Sequence, residues 1–179
     1  MGQDTAAAAA SALRLLNTPE LRHHPQHGPQ ERRAPTSVPA APVNLGLIDY
    51  LEARKREVID HARTVTTRTE PLPLDDSDLY AWYLRATIGA AEADRRHRDF
   101  ILARHALEHA IRLGNYNAVR PHPCPTCGGW GLFWDERGNR ARCSDLDCRT
   151  PDGLASSFTL DRLAAQQVGQ TEIWRSSAT

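Results

Sequence analysis

Four cysteines carry the most specific chemistry in this 179-residue chain. They stand as Cys124-Pro125-Thr126-Cys127 and Cys143-Ser144-Asp145-Leu146-Asp147-Cys148, a C-x2-C pair and a C-x4-C pair separated by 15 residues. A short pair places two sulfurs on one side of a tight turn. Two such turns facing each other complete a tetrahedral thiolate cage, with metal–sulfur distances near ~2.3 Å for Zn2+. Gly128 and Gly129 follow the first pair, where backbone amides must curl toward the sulfurs without Cβ hindrance. Cys124, Cys127, Cys143 and Cys148 are therefore expected to hold one structural Zn2+. Iron takes the same ligands and competes with zinc. His122 reads as a spectator, because four thiolates already fill the shell. A catalytic metal would need an open coordination position, and Asp145 and Asp147 read instead as solvent-facing or amide-capping groups.

The spacer between the pairs supports the cage. Leu132-Phe133-Trp134 is strand-like, Arg137-Gly138-Asn139 reads as a turn, and Arg140-Ala141-Arg142 returns as a second strand. A hairpin this short does not stand alone in water. Metal binding supplies the missing stability, roughly 10–16 kcal/mol in small zinc modules. The stretch resembles the zinc-ribbon family in its C-P-x-C-G knuckle at Cys124–Gly128 and its paired second knuckle, over about 30 residues. The resemblance implies a structural zinc held by four cysteine thiolates. The C-x4-C spacing departs from the common C-x2-C by two residues. Cys124–Gly131 is also similar to one C-x-x-C-x-G-x-G unit of the cysteine-rich domain of J-protein chaperones, which repeat a unit that occurs once here. Disulfides are disfavoured without a secretion signal. A redox C-x-x-C would need a strand before it and a helix after it.

Trp130, Phe133 and Trp134, with Arg140 and Arg142 on the opposing strand, are the candidate contact residues. Such a set stacks on single-stranded bases. The competing reading packs these aromatics onto the helices, since strand alternation buries one face. Charge does not favour nucleic acid: the chain carries 22 basic and 22 acidic residues. Dedicated binders usually show a basic excess. Arg95-Arg96-His97-Arg98 is bracketed by Asp94 and Asp99 and reads as a solvated helix face.

The elements that position the ribbon read as mainly α. Residues 1–43, rich in Ala, Pro and His, are expected to be a disordered tail, with His23–Pro29, Pro35, Pro39 and Pro42 as an extended linker. Residues 44–116 predict an antiparallel helical hairpin. Its first helix begins at Asn44, a good cap, and follows Ile48, Leu51, Val58, Ala62 and Val65 at helical spacing. Its second runs from Ser77 to Leu113, ending at Gly114-Asn115. A seam of Leu79, Tyr83, Ala86, Ala90, Ala93, His97, Phe100, Leu107 and Ile111 lines it. At roughly 55 Å this helix exceeds one compact domain, so a kink near Ile88-Gly89 or self-association is expected. The hairpin alone is thin, and a second copy would complete a four-helix bundle. Residues 117–168 form the ribbon with a short C-terminal helix, and 169–179 a flexible tail. A turn after Gly169 would give that helix a faint helix-turn-helix look.

No glycine-rich phosphate loop, G-x-S-x-G elbow or H-E-x-x-H pair occurs. No secretory signal is read in Met1–Ala10 and no membrane span is expected, so the expected location is cytoplasmic. The expected function is a non-enzymatic zinc-binding adaptor or accessory regulator. In it the ribbon recognises a partner, and the helices form an oligomer or partner surface. The alternative is a nucleic-acid-binding zinc-ribbon protein, acting on DNA or single strands.

Overall fold

A computed structural model describes residues 2–22, 44–66 and 71–177, with side chains through 170. Its helices are α1 (Gly2–Leu16), α2 (Pro19–Arg22), α3 (Leu45–Val65), α4 (Leu79–Ala86), α5 (Glu92–Arg112) and α6 (Leu160–Ser177). Three strands, β1 (Leu132–Asp135), β2 (Arg140–Cys143) and β3 (Ser157–Phe158), form one antiparallel sheet in that order. The protein is thus mainly helical, with a small sheet and a C-terminal helix.

Local chemistry sets the hairpin ends. The Asn44 side chain accepts from the Leu47 amide at 3.1 Å, capping α3, and such a cap contributes about 1 kcal/mol. At the far end of α5, Gly114 N donates to Ile111 O and Asn115 N to Ala110 O, both at 2.9 Å. These two bonds close a Schellman motif at the expected stop. α3 and α5 run antiparallel, as Tyr50 meets His109, Glu57 meets His105 and His61 lies against His97.

The second helix is two helices. Thr87–Ala91 separates α4 from α5 where the kink was expected. The Thr87 hydroxyl turns back onto Tyr83 O at 2.7 Å. The break re-aims α5, so the expected seam does not run through. Ala93 and His97 are exposed, while Ile101, Leu102, Ala103, His105, Leu107 and His109 are buried.

The N-terminal tail needs the largest correction. Residues 2–16 and 19–22 are helical, and α1 buries Ala6, Ala9, Leu13 and Leu16 in the first core. Their spacing of three, four and three puts them on one face. Alanine on that face lets α1 approach α4 and α5 closely, and burying a leucine side chain contributes roughly 1.5–3 kcal/mol. The rest of that core comes from Leu47, Leu51, Val58 and Ala62 on α3, Leu79, Tyr80, Trp82 and Tyr83 on α4, and Ile101 and Leu102 on α5. α1 thereby supplies from the same chain a further helix packed on the hairpin. The expected linker tract at residues 23–43 lies outside the described residues.

The C-terminal tail is corrected too. α6 continues through Gly169 to Ser177, so no helix-turn-helix bend occurs there. Leu163 and Ala164 are fully buried, and residues 166–170 are half-buried. Packing of this kind outweighs the ~1 kcal/mol penalty of a mid-helix glycine.

Candidate metal centre

The first knuckle is a closed backbone turn. Gly128 N donates to Cys124 O and Cys124 N donates to Gly129 O, both at 2.8 Å. Gly128 has φ +73°, a conformation glycine adopts without the Cβ penalty. The Thr126 amide points at Cys124 Sγ from 3.4 Å. Gly131 fits against the second knuckle: a Cβ there would lie 2.6 Å from Ser144 Oγ.

The longer second knuckle is accommodated by a side-chain turn. Asp145 Oδ1 accepts from Asp147 N at 2.9 Å, and Asp145 O accepts from Cys148 N at 3.2 Å. Asp145 thus caps a backbone amide, as its position suggested. Cys143 ends β2 and donates its amide to Ser156 O, while Ser156 N donates to Cys148 O, both at 3.1 Å. β3, which was not anticipated, pairs Ser157 with Arg142 and Phe158 with Ala141. It ties the second knuckle to the sheet.

The sulfurs converge. Cys124 and Cys148 Sγ are 3.6 Å apart, Cys127 and Cys143 Sγ are 3.8 Å apart, and all four lie within 4.8 Å of one another. A tetrahedron with ~2.3 Å metal–sulfur bonds has sulfur–sulfur edges of about 3.8 Å, whereas a disulfide is about 2.05 Å. The four thiols are free. Burial pushes the Cys143 thiol up to about 12, and a bound cation reverses that tendency by favouring thiolate. The cluster can therefore hold a metal ion such as Zn2+. His122 is outside it.

The module is fastened to the helices rather than hung from them. Cys124, Cys143 and Cys148 belong to a second core with Leu107 of α5, Val119, Leu132, Ala141 and Leu163 of α6. Strand alternation divides the expected contact residues. Leu132 and Ala141 face inward, and half-buried Trp134 packs on the same core. Phe133, Arg140 and Arg142 are exposed on the other face, where Phe133 pairs with Arg142 across the strands. Trp130, just before β1, is 71% exposed. Asp135 holds Arg142 at 2.6 Å. An open groove of about 750 Å³ at the hairpin end is lined by Phe133, Trp134, Arg137, Gly138 and Arg142, together with Asp135 and Glu136.

One constellation is not visible in the sequence, where its histidines read only as helix residues with acids nearby. His105 and His109 are completely buried and hydrogen-bonded to Tyr50, Tyr80 and Glu57. The only signal was their i, i+4 spacing, which puts both rings on one helix face.

Fold and site together define a mainly helical protein with a zinc-ribbon-like, four-cysteine site on a small antiparallel sheet. No protein-family model, curated protein or solved structure matches the chain. No helix among the described residues is long and apolar enough to cross a membrane.

Proposed function

We propose that Cys124, Cys127, Cys143 and Cys148 hold one structural Zn2+, and that the protein is a non-enzymatic adaptor recognising a protein partner through the outer face of the ribbon. The sulfur spacing carries the first half: edges of 3.6 and 3.8 Å suit a closed tetrahedral site. No ligand position is left over for substrate. The second half rests on the division of the sheet. Its inner face is spent on α5 and α6, while Trp130 and Phe133 remain exposed beside the Arg142–Asp135 pair. Aromatic anchors flanked by arginine are the usual composition of protein interface hot spots. On this reading the ribbon rather than the helices carries recognition, with α1 packed on the hairpin. Reduced thiols suit a cytoplasmic setting.

Native mass spectrometry tests the metal: one zinc per chain is expected, and reduced protein without stoichiometric metal would sink the reading. For the partner, a photo-crosslinking residue at Phe133 should capture one discrete protein in cells that express the chain. That product should vanish with Trp130→Ala while zinc content is unchanged.

A second reading, single-stranded nucleic acid, is favoured by Phe133, Arg140 and Arg142 sharing one exposed face. Asp135 and Glu136 in the same groove oppose it. Salt-sensitive oligonucleotide binding, lost in an Arg140→Ala/Arg142→Ala variant, would replace the adaptor reading with this one.

A further inference from the structure

An unbroken polar chain crosses the helical body, away from the metal centre. Glu57 Oε2 meets His105 Nε2 at 3.1 Å, and His105 Nδ1 meets the Tyr80 hydroxyl at 3.0 Å. That hydroxyl meets His109 Nε2 at 2.8 Å, and His109 Nδ1 meets the Tyr50 hydroxyl at 2.7 Å. The Tyr50 hydroxyl has a second acceptor, Glu108 Oε2, at the longer distance of 3.3 Å. Both rings are fully buried, and Tyr80 is 1% exposed.

Glu57 and Glu108 both only accept, so four protons serve five contacts at neutral pH, and the long 3.3 Å contact to half-buried Glu108 is the one left unserved. The ionised Glu57 carboxylate only accepts, so His105 Nε2 carries its ring proton. Burial holds both imidazoles below their ordinary pKa, so each ring has one N–H. His105 Nδ1 must then accept from Tyr80. The Tyr80 oxygen accepts from His109 Nε2, and His109 Nδ1 accepts from Tyr50. Every buried group is satisfied, as a low-dielectric interior demands.

The reverse direction is also fully satisfied, with one more proton. We propose that Tyr50, His109, Tyr80, His105 and Glu57 form a single proton-binding site that takes up one proton as a unit by reversing all its hydrogen bonds. A proton from hydronium adds to the Tyr50 oxygen, which passes its own proton to His109 Nδ1. His109 gives its Nε2 proton to Tyr80, which gives its own to His105 Nδ1. His105 gives its Nε2 proton to Glu57. Each intermediate member gains one proton and loses one, so water supplies one and Glu57 keeps one. Tyr50 then donates to Glu108.

The charged groups facing the chain are Arg54 on α3, Arg104, Glu108 and Arg112 on α5, and Asp161 on α6. Arg54 and Arg104 both pair with Glu57. Arg112 lies 3.8 Å over the Tyr50 ring. Arg104 also reaches Asp161 at 3.4 Å. Loading the chain neutralises Glu57 and so loosens its ion pair with Arg104, which joins α3 to α5. The site does not depend on the metal.

Histidine 15N NMR of the full-length protein tests this. At neutral pH both His105 and His109 should be Nε2–H tautomers. On acidification both should become neutral Nδ1–H tautomers at one shared midpoint, and Tyr80→Phe should abolish that coupling. Imidazolium at either ring, separate midpoints, Nδ1–H at neutral pH, or unfolding before any tautomer change overturns the proposal. Glu57→Gln gives an independent check should Tyr80→Phe not fold. Glu57 Oε2 also accepts from Arg54 at 3.0 Å, so Arg54→Met is combined with this substitution; with its carbonyl held by Arg104, the new amide then donates to His105 Nε2. Both rings should then be Nδ1–H at neutral pH without acid, and Nε2–H in that variant overturns the proposal too.

Discussion

The helical body and the metal module solve the same problem by opposite means. The body buries four helical faces around Leu13, Leu51, Tyr83 and Leu102 and threads neutral tyrosines and histidines through that packing. The module has strands of four, four and two residues, too little sheet to persist alone. It relies on converging sulfurs and on one shared wall, Leu107 and Leu163. The contrast shows how a short sequence becomes rigid. Apolar area does it where helices are long enough, and on the proposed reading a metal held by four thiolates does it where the elements are too short.

The strongest way to break this contrast is to remove the metal ligands. Cys124→Ser or Cys143→Ser, or strong chelation, should unfold the sheet, given that structural zinc is worth about 10 kcal/mol or more. The body should stay folded. Far-UV circular dichroism should fall modestly, and amide exchange should rise in β1–β3 and in α6, which shares the second core. Loss of the whole helical signal would show that the two cores are one cooperative unit.

Next in size is an attack on the body from its N-terminal helix. Leu13→Ala empties a fully buried position and should cost about 2–5 kcal/mol in urea unfolding. Zinc content of the folded protein should not change. No effect would mean that α1 is not part of the core.

Acid should discriminate between the regions as well. Burial keeps the His109 ring uncharged well below its unfolded value near ~6.5. Below that value the unfolded chain binds a proton that the folded ring does not, so stability falls as pH drops below about 6.5, by up to about 1.4 kcal/mol per pH unit for this group. Glu57 acts in the same direction at lower pH. Despite its partial burial, His105 and Arg104 hold it down at about 2, so its contribution is lost as pH falls below about 4.5. Neither group changes stability above pH 7. Urea midpoints of the body between pH 7 and 4 should show this slope, and a flat profile would contradict the buried geometry of His109.

The smaller effects lie at the edges. Asn44→Ala should cost about 1 kcal/mol by uncapping α3, read as a small drop in melting temperature. Asp135→Ala removes an exposed ion pair and should change stability by no more than about 1 kcal/mol. It frees Arg142, so any oligonucleotide affinity should rise.

Local spacing made much of the centre legible. C-x2-C followed by glycine dictates a turn, and the strand–turn–strand spacer dictates how two turns face each other. Asn44 and Gly114-Asn115 marked helix ends because caps are local hydrogen-bonding events. Asp145 was legible for the same reason. The third strand was not, because Ser157-Phe158 is too short for a periodic signal and gains its partners only from β2.

What the sequence determined by itself was therefore the short-range chemistry: four thiols in two turns, the antiparallel hairpin of helices, and the break near Gly89. Tertiary structure decided the rest. The alanines of α1 have little apolar surface to advertise a core role, and only the nearness of α4 and α5 makes them buried. Trp134 and Phe133 are adjacent aromatics that differ only in which side of the sheet meets α5. His105 and His109 are ordinary polar residues until Tyr50, Tyr80 and Glu57 arrive from two other helices. Composition and spacing report what a residue offers, while burial and partner geometry depend on segments dozens of positions away.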